Sequence, residues 1–168
     1  MSQPQLPDTI RLHDDEDLIA IWQPAFGPFL RKLVVVSLLT AVVLGRLIFV
    51  FTDLSGVLSW TISILVSAAL YAFLFDDVFE WRQRRDDHWV LTNWRLIFVN
   101  PMDESEPDSL SLSDCGTAKG WMWWSVRLRL LPRGAMILPF LKDRKGVAAE
   151  INTAVSTYRS AQSAGGTS

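Results

Sequence analysis

The sequence predicts a membrane-anchored α+β protein, in which a transmembrane helical hairpin precedes a small soluble domain of short strands closed by a C-terminal helix. Three observations carry this expectation. Two apolar runs of 19 residues, 33–51 and 57–75, lie five residues apart. Residues 88–141 break into short segments of β-type alternation, and residues 144–160 bring apolar side chains back at helical spacing.

Composition bounds what can accompany the hairpin. Of 168 residues, 49% are hydrophobic and 20% charged, with a net charge of -2, so the membrane signal comes from local concentration. Carboxylates gather at 14–17 and 103–108, cations at 82–85, 127–133 and 142–145. This balance gives no general attraction to nucleic acid. The single cysteine, Cys115, cannot form an internal disulfide and suits a reducing compartment. One Cys and two distant His residues do not make a zinc site, and no cofactor is expected.

Residues 1–32 read as a cytoplasmic N-terminal segment. Met1 to Asp8 form a loose polar tail, and Thr9 to Leu33 a short amphipathic or extended stretch near the membrane surface. No positive n-region with an early apolar stretch precedes the first run, so cleavage ahead of it is not expected. His13 beside Asp14, Asp15, Glu16 and Asp17 suggests either a cation site or a solvated acidic linker. The linker is favoured, because calcium needs a turn-forming loop.

At about 1.5 Å per residue, each apolar run can cross a hydrocarbon core of ~30 Å. Both are apolar around their whole circumference, which a chain this small could not cover as a soluble bundle. Arg31 and Lys32 precede the first run, Arg82, Arg84 and Arg85 follow the second, and the turn at 52–56 has no Lys or Arg. The positive-inside bias therefore predicts both termini in the cytoplasm. Arg46, within the first run, has two readings: a pathway residue, or one that snorkels to the outer headgroups and meets Asp53. Snorkelling is the expectation.

Residues 76–87 form a charged connector, and 88–160 the soluble domain. His88 to Thr92 and Arg95 to Val99 predict a hairpin turning at Asn93. Ser109 to Asp114 alternates as a half-buried strand, Gly116 to Gly120 reads as a break, and Trp121 to Leu131 as one strand with Arg127 and Arg129 on its outer face. Pro132 to Gly134 turn into a strand over Ala135 to Leu141. A helix follows from Arg144 to Ser160, with Asp143 as its N-cap, and 161–168 read as a disordered tail. About five strands are thus expected.

The segment HWVLTNWRLIFVNP resembles the opening signature of the bacterial pleckstrin-homology-like domain of small membrane proteins, an aromatic–apolar–Thr–Asp/Asn–any–Arg–Leu–Ile string. Its positions fall on His88 or Trp89, Leu91, Thr92, Asn93, Trp94, Arg95, Leu96 and Ile97. SLSLSDC is similar to the family's next strand, VRLRLLPRGAMILPFLKD to its later hairpin, KGVAAEINTAV to its closing helix, and IWQPAFGPFLRKL to the stretch before its two spans. The resemblance implies a partly open β-barrel capped by a helix, acting at the bacterial inner membrane as a non-catalytic binding or scaffolding module. Lipid-reading pleckstrin-homology domains carry basic residues in an early loop, where this chain has Asp103, Glu104, Glu106 and Asp108.

Candidate contact residues are aromatic and basic. Trp121, Trp123 and Trp124 either fill the core under the C-terminal helix or rest on the cytoplasmic leaflet, where Trp partitions. Arg127, Arg129, Arg133, Lys142, Arg144 and Lys145 form either a basic surface for anionic lipid, at ~1 kcal/mol per well-placed charge, or an ordinary solvated face. Cys115 has no nearby His and reads as packing. The leading expectation is a module engaging a protein partner or anionic lipid; the alternatives are an accessory or assembly subunit of a larger membrane complex and, less favoured, a transporter component.

Overall fold

A computed structural model describes residues 6–7, 10–51, 56–70, 77–102 and 106–165. Its described elements are four helices and two antiparallel sheets, in the order β1 (Leu18–Trp22), α1 (Phe26–Phe51), α2 (Gly56–Ala69), α3 (Asp77–Arg84), β2 (His88–Thr92), β3 (Arg95–Val99), β4 (Asp108–Ser111), β5 (Cys115–Trp121), β6 (Ser125–Leu130), β7 (Ala135–Pro139) and α4 (Arg144–Gly165). They divide into two units, one from the described residues of 1–28 and 84–168, the other from those of 29–83.

The first unit holds both sheets, ordered β1-β2-β3-β4 and β5-β6-β7. The β2–β3 hairpin has the boundaries that alternation predicted, with Leu91 opposite Leu96 across the turn. Its two strands are buried on both faces. Trp89, Leu91 and Leu96 enter a core shared with Leu112, Val126, Leu128 and Leu138 of the later segments and with Val147, Ile151 and Val155 of α4. On the other face Val90, Ile97 and Val99 are covered by Leu6, Ile10, Leu12 and Ile21.

Of the stretch from Thr9 to Leu33, expected to be amphipathic or extended near the membrane surface, Leu18–Trp22 takes the extended form, and of the expected loose tail, Met1 to Asp8, only Leu6 and Pro7 are among the described residues. Leu18–Trp22 is a strand of the sheet, pairing antiparallel with β2, and Leu6 packs rather than trailing. Two exposed sheet faces would leave Val90 and Ile97 in water, and the N-terminal segment removes them from it. Further corrections follow downstream. Residues 77–84 of the connector are helical, and α4 continues to Gly165, five residues into the expected tail. The expected strand 109–114 is β4 only to Ser111.

Gly116 to Gly120, read as a break, lies inside β5. Gly116 sits where the β5–β6 register shifts between Cys115 and Ala118, and a Cβ there would stand 3.0 Å from the Arg129 carbonyl oxygen. It marks close approach of two backbones rather than a chain reversal. α4 completes the bonding of this irregular strand: Asn152 accepts from the Ala118 amide at 2.8 Å and donates to its carbonyl at 2.9 Å, while Arg159 donates to the Cys115 carbonyl at 2.6 Å. The Asp143 cap is present, its Oδ1 accepting from the Gly146 amide at 2.9 Å.

The second unit has an inverted pattern. Small residues at four-residue spacing are buried on both helices, Ser37, Ala41 and Gly45 on α1 and Ser59, Ser63 and Ser67 on α2, while Leu39, Val43, Val57 and Leu65 are exposed. Ser59 Oγ donates to the Gly45 carbonyl at 3.4 Å. α1 begins at Phe26 rather than Leu33; Phe29 stacks on Trp81 of α3 at 5.1 Å, and Lys32 pairs with Glu80 at 3.6 Å. Only α1 among the described helices, over Phe26–Leu47, is long and apolar enough to cross a membrane; α2 is apolar but has 14 residues. The last residues of the expected second span, 71–75, and the expected Arg46–Asp53 pairing lie outside the described residues.

Candidate interaction surface

Trp121 to Trp124 stand at the end of the β5–β6 hairpin. The expected single strand from Trp121 to Leu131 is instead the end of β5, a three-residue turn and β6, with Trp121 opposite Ser125 as the last pair. No Gly, Pro, Asn or Asp marks the turn, so sequence reasoning had no signal for it. Met122 takes the left-handed conformation that Gly usually supplies, at φ 52°. The turn projects its side chains outward: Trp121, Met122 and Trp123 are 41%, 57% and 56% exposed, and none of the three tryptophans belongs to the buried core. The core-filling alternative is thereby overturned. Trp123 and Trp124 meet edge to face at 6.3 Å.

Cations surround this tip. The Arg127 guanidinium lies over the Trp121 ring, 5.2 Å from its centroid, as a diagonal neighbour across a hairpin can. Lys119 faces Arg127 directly in the β5–β6 register, and both are exposed. Arg144, the first residue of α4, donates to the Met122 carbonyl and passes Gly120. Lys142 and Lys145 flank Arg144 and are exposed. Arg129 points outward from β6 as expected but pairs with Ala135, farther from the tip, and Arg133 lies in the β6–β7 turn.

A concavity of about 730 Å³ runs along α4 past Thr153 and Thr157 to Ile19, Asn93 and Trp94. Its walls come from the β2–β3 turn and from β1, so it depends on the N-terminal strand that sequence reasoning missed.

The residues with chemical potential are occupied structurally. The Cys115 thiol is buried and bonded to the Ser111 carbonyl at 3.4 Å. Burial, reinforced by Asp114 and opposed by Arg159, pushes it up to about 11, away from the thiolate a nucleophile needs. The acidic run is not a simple solvated linker, for Glu16 is buried and held by Arg95. Among the described residues no group of three or more His, Cys, Asp or Glu side chains comes together as a metal site. Asp87 is the remaining unusual group, buried with one carboxylate oxygen lacking a partner.

No protein-family model, curated protein or solved structure matches this chain.

Proposed function

We propose that the chain is a non-catalytic, two-span protein of the bacterial inner membrane that presents its β-unit on the cytoplasmic side as a binding module. The carrying observation is the pairing of β1 with β2. The chain leaves the sheet at Trp22, passes through α1, α2 and α3, and re-enters opposite the same residue, with Trp22 paired to Trp89. Strands on either side of an insertion share one sheet only if both ends of the insertion lie on one side of the bilayer. A crossing by α1 therefore requires a return crossing, for which residues 57–75 supply the length.

The inverted packing of α1 and α2 supports the same reading. Lipid-facing positions take large apolar residues and helix contacts take small ones, because between helices in hydrocarbon close approach replaces the hydrophobic drive. Basic residues at 31–32 and 82–85 support cytoplasmic ends. Four strands, three strands and one helix around a shared core suit the partly open, helix-capped barrel that the pleckstrin-homology-like resemblance implies. Arg46 is exposed on α1, which suits snorkelling better than an ion pathway; Arg46→Leu then leaves insertion and protein level unchanged.

Topology tests this. In a Cys115→Ser background, single cysteines at Ser2, Ser55 and Ser160 are challenged with a membrane-impermeant maleimide on intact cells and on inverted vesicles. Labelling of position 55 from outside and of 2 and 160 only from inside is expected. Labelling of position 160 from outside removes the proposal. Photocrosslinking in the same membranes then reports whether the module holds a protein partner, including a larger complex of which it would be an accessory subunit.

A further inference from the structure

We propose that the β5–β6 tip is an interfacial anchor, its Trp121–Trp124 turn entering the headgroup zone of an anionic bilayer while Lys119, Arg127 and Arg144 contact lipid phosphate. The inference rests on the anchored reading above for proximity to the bilayer and for the leaflet that the tip meets.

The tip's shape and chemistry carry the argument. The three-residue turn lies beyond the last paired residues of the sheet, where Ser125 faces Trp121 on one side and Pro139 on the other, and none of the tryptophans there joins the buried core, Trp124 being half-buried. With the last residue of β5 the turn reads Trp-Met-Trp-Trp, and Trp121, Met122 and Trp123 of these are exposed. Indoles are best accommodated where an apolar body meets a wet polar edge, as at the glycerol and headgroup level of a bilayer. The turn carries no charged side chain to oppose that transfer.

The cations favour a membrane over a protein as the occupant. Lys119 and Arg127 are directly opposed in an antiparallel pair, an arrangement of like charges that destabilises a sheet in isolation. An anion placed beside both reverses the sign of that cost. Arg144 brings a third cation to the same end through its bond to the Met122 carbonyl, and Lys142 and Lys145 extend the positive field behind it. The acid nearest in sequence, Asp143, is engaged as the cap of α4. A tip of aromatic residues at the apex and cations at its base matches the depth order of a bilayer, with phosphates lying outside the acyl boundary. The cytoplasmic leaflet supplies the anionic lipid.

The full chain, with Met122→Cys in a Cys115→Ser background and carrying an environment-sensitive fluorophore at position 122, tests this in proteoliposomes of phosphatidylcholine with or without phosphatidylglycerol. Expected are a blue-shifted emission quenched by brominated lipid in the anionic vesicles, a weaker response without phosphatidylglycerol, and loss of the difference at high salt. Lys119→Ala and Arg127→Ala each lower the tip's membrane partition about fivefold. The unlabelled Trp123→Ser chain gives an independent reading, as a fall in the tryptophan emission that brominated lipid removes. A water-like label in anionic vesicles overturns the inference, and so does burial that is indifferent to lipid charge: unquenched by brominated lipid it means that protein covers the tip, and quenched it means that the cations take no part. Alkaline carbonate extraction of the same vesicles reads the anchor separately: a chain that resists extraction with a wet label retains the anchor and loses the tip, and the converse result does the reverse.

Discussion

Arg95 grips Glu16 with two donors, its Nε reaching Oε1 at 2.8 Å and its Nη2 reaching Oε2 at 2.9 Å. Thr92 Oγ1 donates to the same carboxylate at 2.8 Å, and the His13 backbone N–H donates to it at 3.1 Å. Between them Asn93 binds the flanking backbone, accepting from the Asp17 amide at 2.9 Å and donating to the Asp15 carbonyl at 3.2 Å. The Thr-Asn-x-Arg string that closes the first hairpin is thus the receptor for His13 and the acidic run at 14–17. It fixes the N-terminal segment over the outer face of β2 and β3, where Val90 and Ile97 would otherwise be wet.

Glu16→Gln is expected to destabilise the β-unit by about 3 kcal/mol, because it leaves Arg95 facing a neutral amide in a largely buried site. Burial alone would raise the Glu16 carboxyl, but bonds from Arg95, Thr92 and His13 outweigh it and hold the group down at about 2 against 4.5 when free. A depressed acid contributes stability above its unfolded value and loses it as pH falls toward its folded value. Denaturant unfolding of the detergent-solubilised chain should therefore lose about 3 kcal/mol between roughly pH 5 and 2. Glu16→Gln should show a flatter profile over that window; an unchanged slope would mean that the pair does not set the acid limit.

Asp87 carries the opposite sign. Burial pushes its carboxyl up from 3.8 to about 6, with Arg84 opposing and Asp86 adding to the rise. A raised acid favours folding fully below its unfolded value and loses that contribution as pH climbs through its folded value. Asp87→Asn should stabilise the chain by about 2 kcal/mol at pH 8 and leave it nearly unchanged near pH 4. Chemical denaturation at the two pH values checks this, and a loss of stability at pH 8 would show that the ionised group has a partner.

What the sequence displayed and what it concealed follow from the range of the interactions. The β2–β3 hairpin, the Asp143 cap and the Val126–Leu128 face were legible because each depends on residues a few positions apart. β1 was not, since its partner strand lies beyond the whole apolar insertion and Ile19 and Ile21 alone look like any short amphipathic stretch. Gly116 was misread because a glycine that permits close backbone approach is indistinguishable in sequence from one that turns the chain. Trp121 and Trp123 stood out by composition, yet their exposure depended on a turn formed through Met122 without any turn residue. Asn152 gave no warning at all, being one polar residue in a helix until β5 is placed beside it.

Cys115 should be inert in the folded chain. Its side chain is fully buried and its thiol is shifted upward, so maleimide at neutral pH reacts only through unfolded molecules. Mass spectrometry of the solubilised protein should show negligible labelling until denaturant reaches the unfolding midpoint, and Glu16→Gln should move that labelling onset to lower denaturant. Fast labelling of the native chain would place the thiol outside the shared core.

Gly45 tests the small-residue packing of the apolar helices. A Cβ there would stand 3.0 Å from Trp60 Cε3, 3.1 Å from Cζ3 and 3.4 Å from Ser63 Oγ, closer than a methyl group and an aromatic ring can settle without movement. α1 would have to withdraw from α2, breaking the Ser59 bond to the Gly45 carbonyl. Overpacking of this kind costs about 1–3 kcal/mol, and for a pair that spans a bilayer as proposed, separation gains no compensating burial, since lipid would cover the outer faces. Gly45→Leu should therefore lower the resistance of the chain to unfolding by sodium dodecyl sulfate in mixed micelles, whereas Val43→Leu, at an exposed position on the same helix, should leave it unchanged. Equal behaviour of the two variants would mean that α1 and α2 do not pack through these residues.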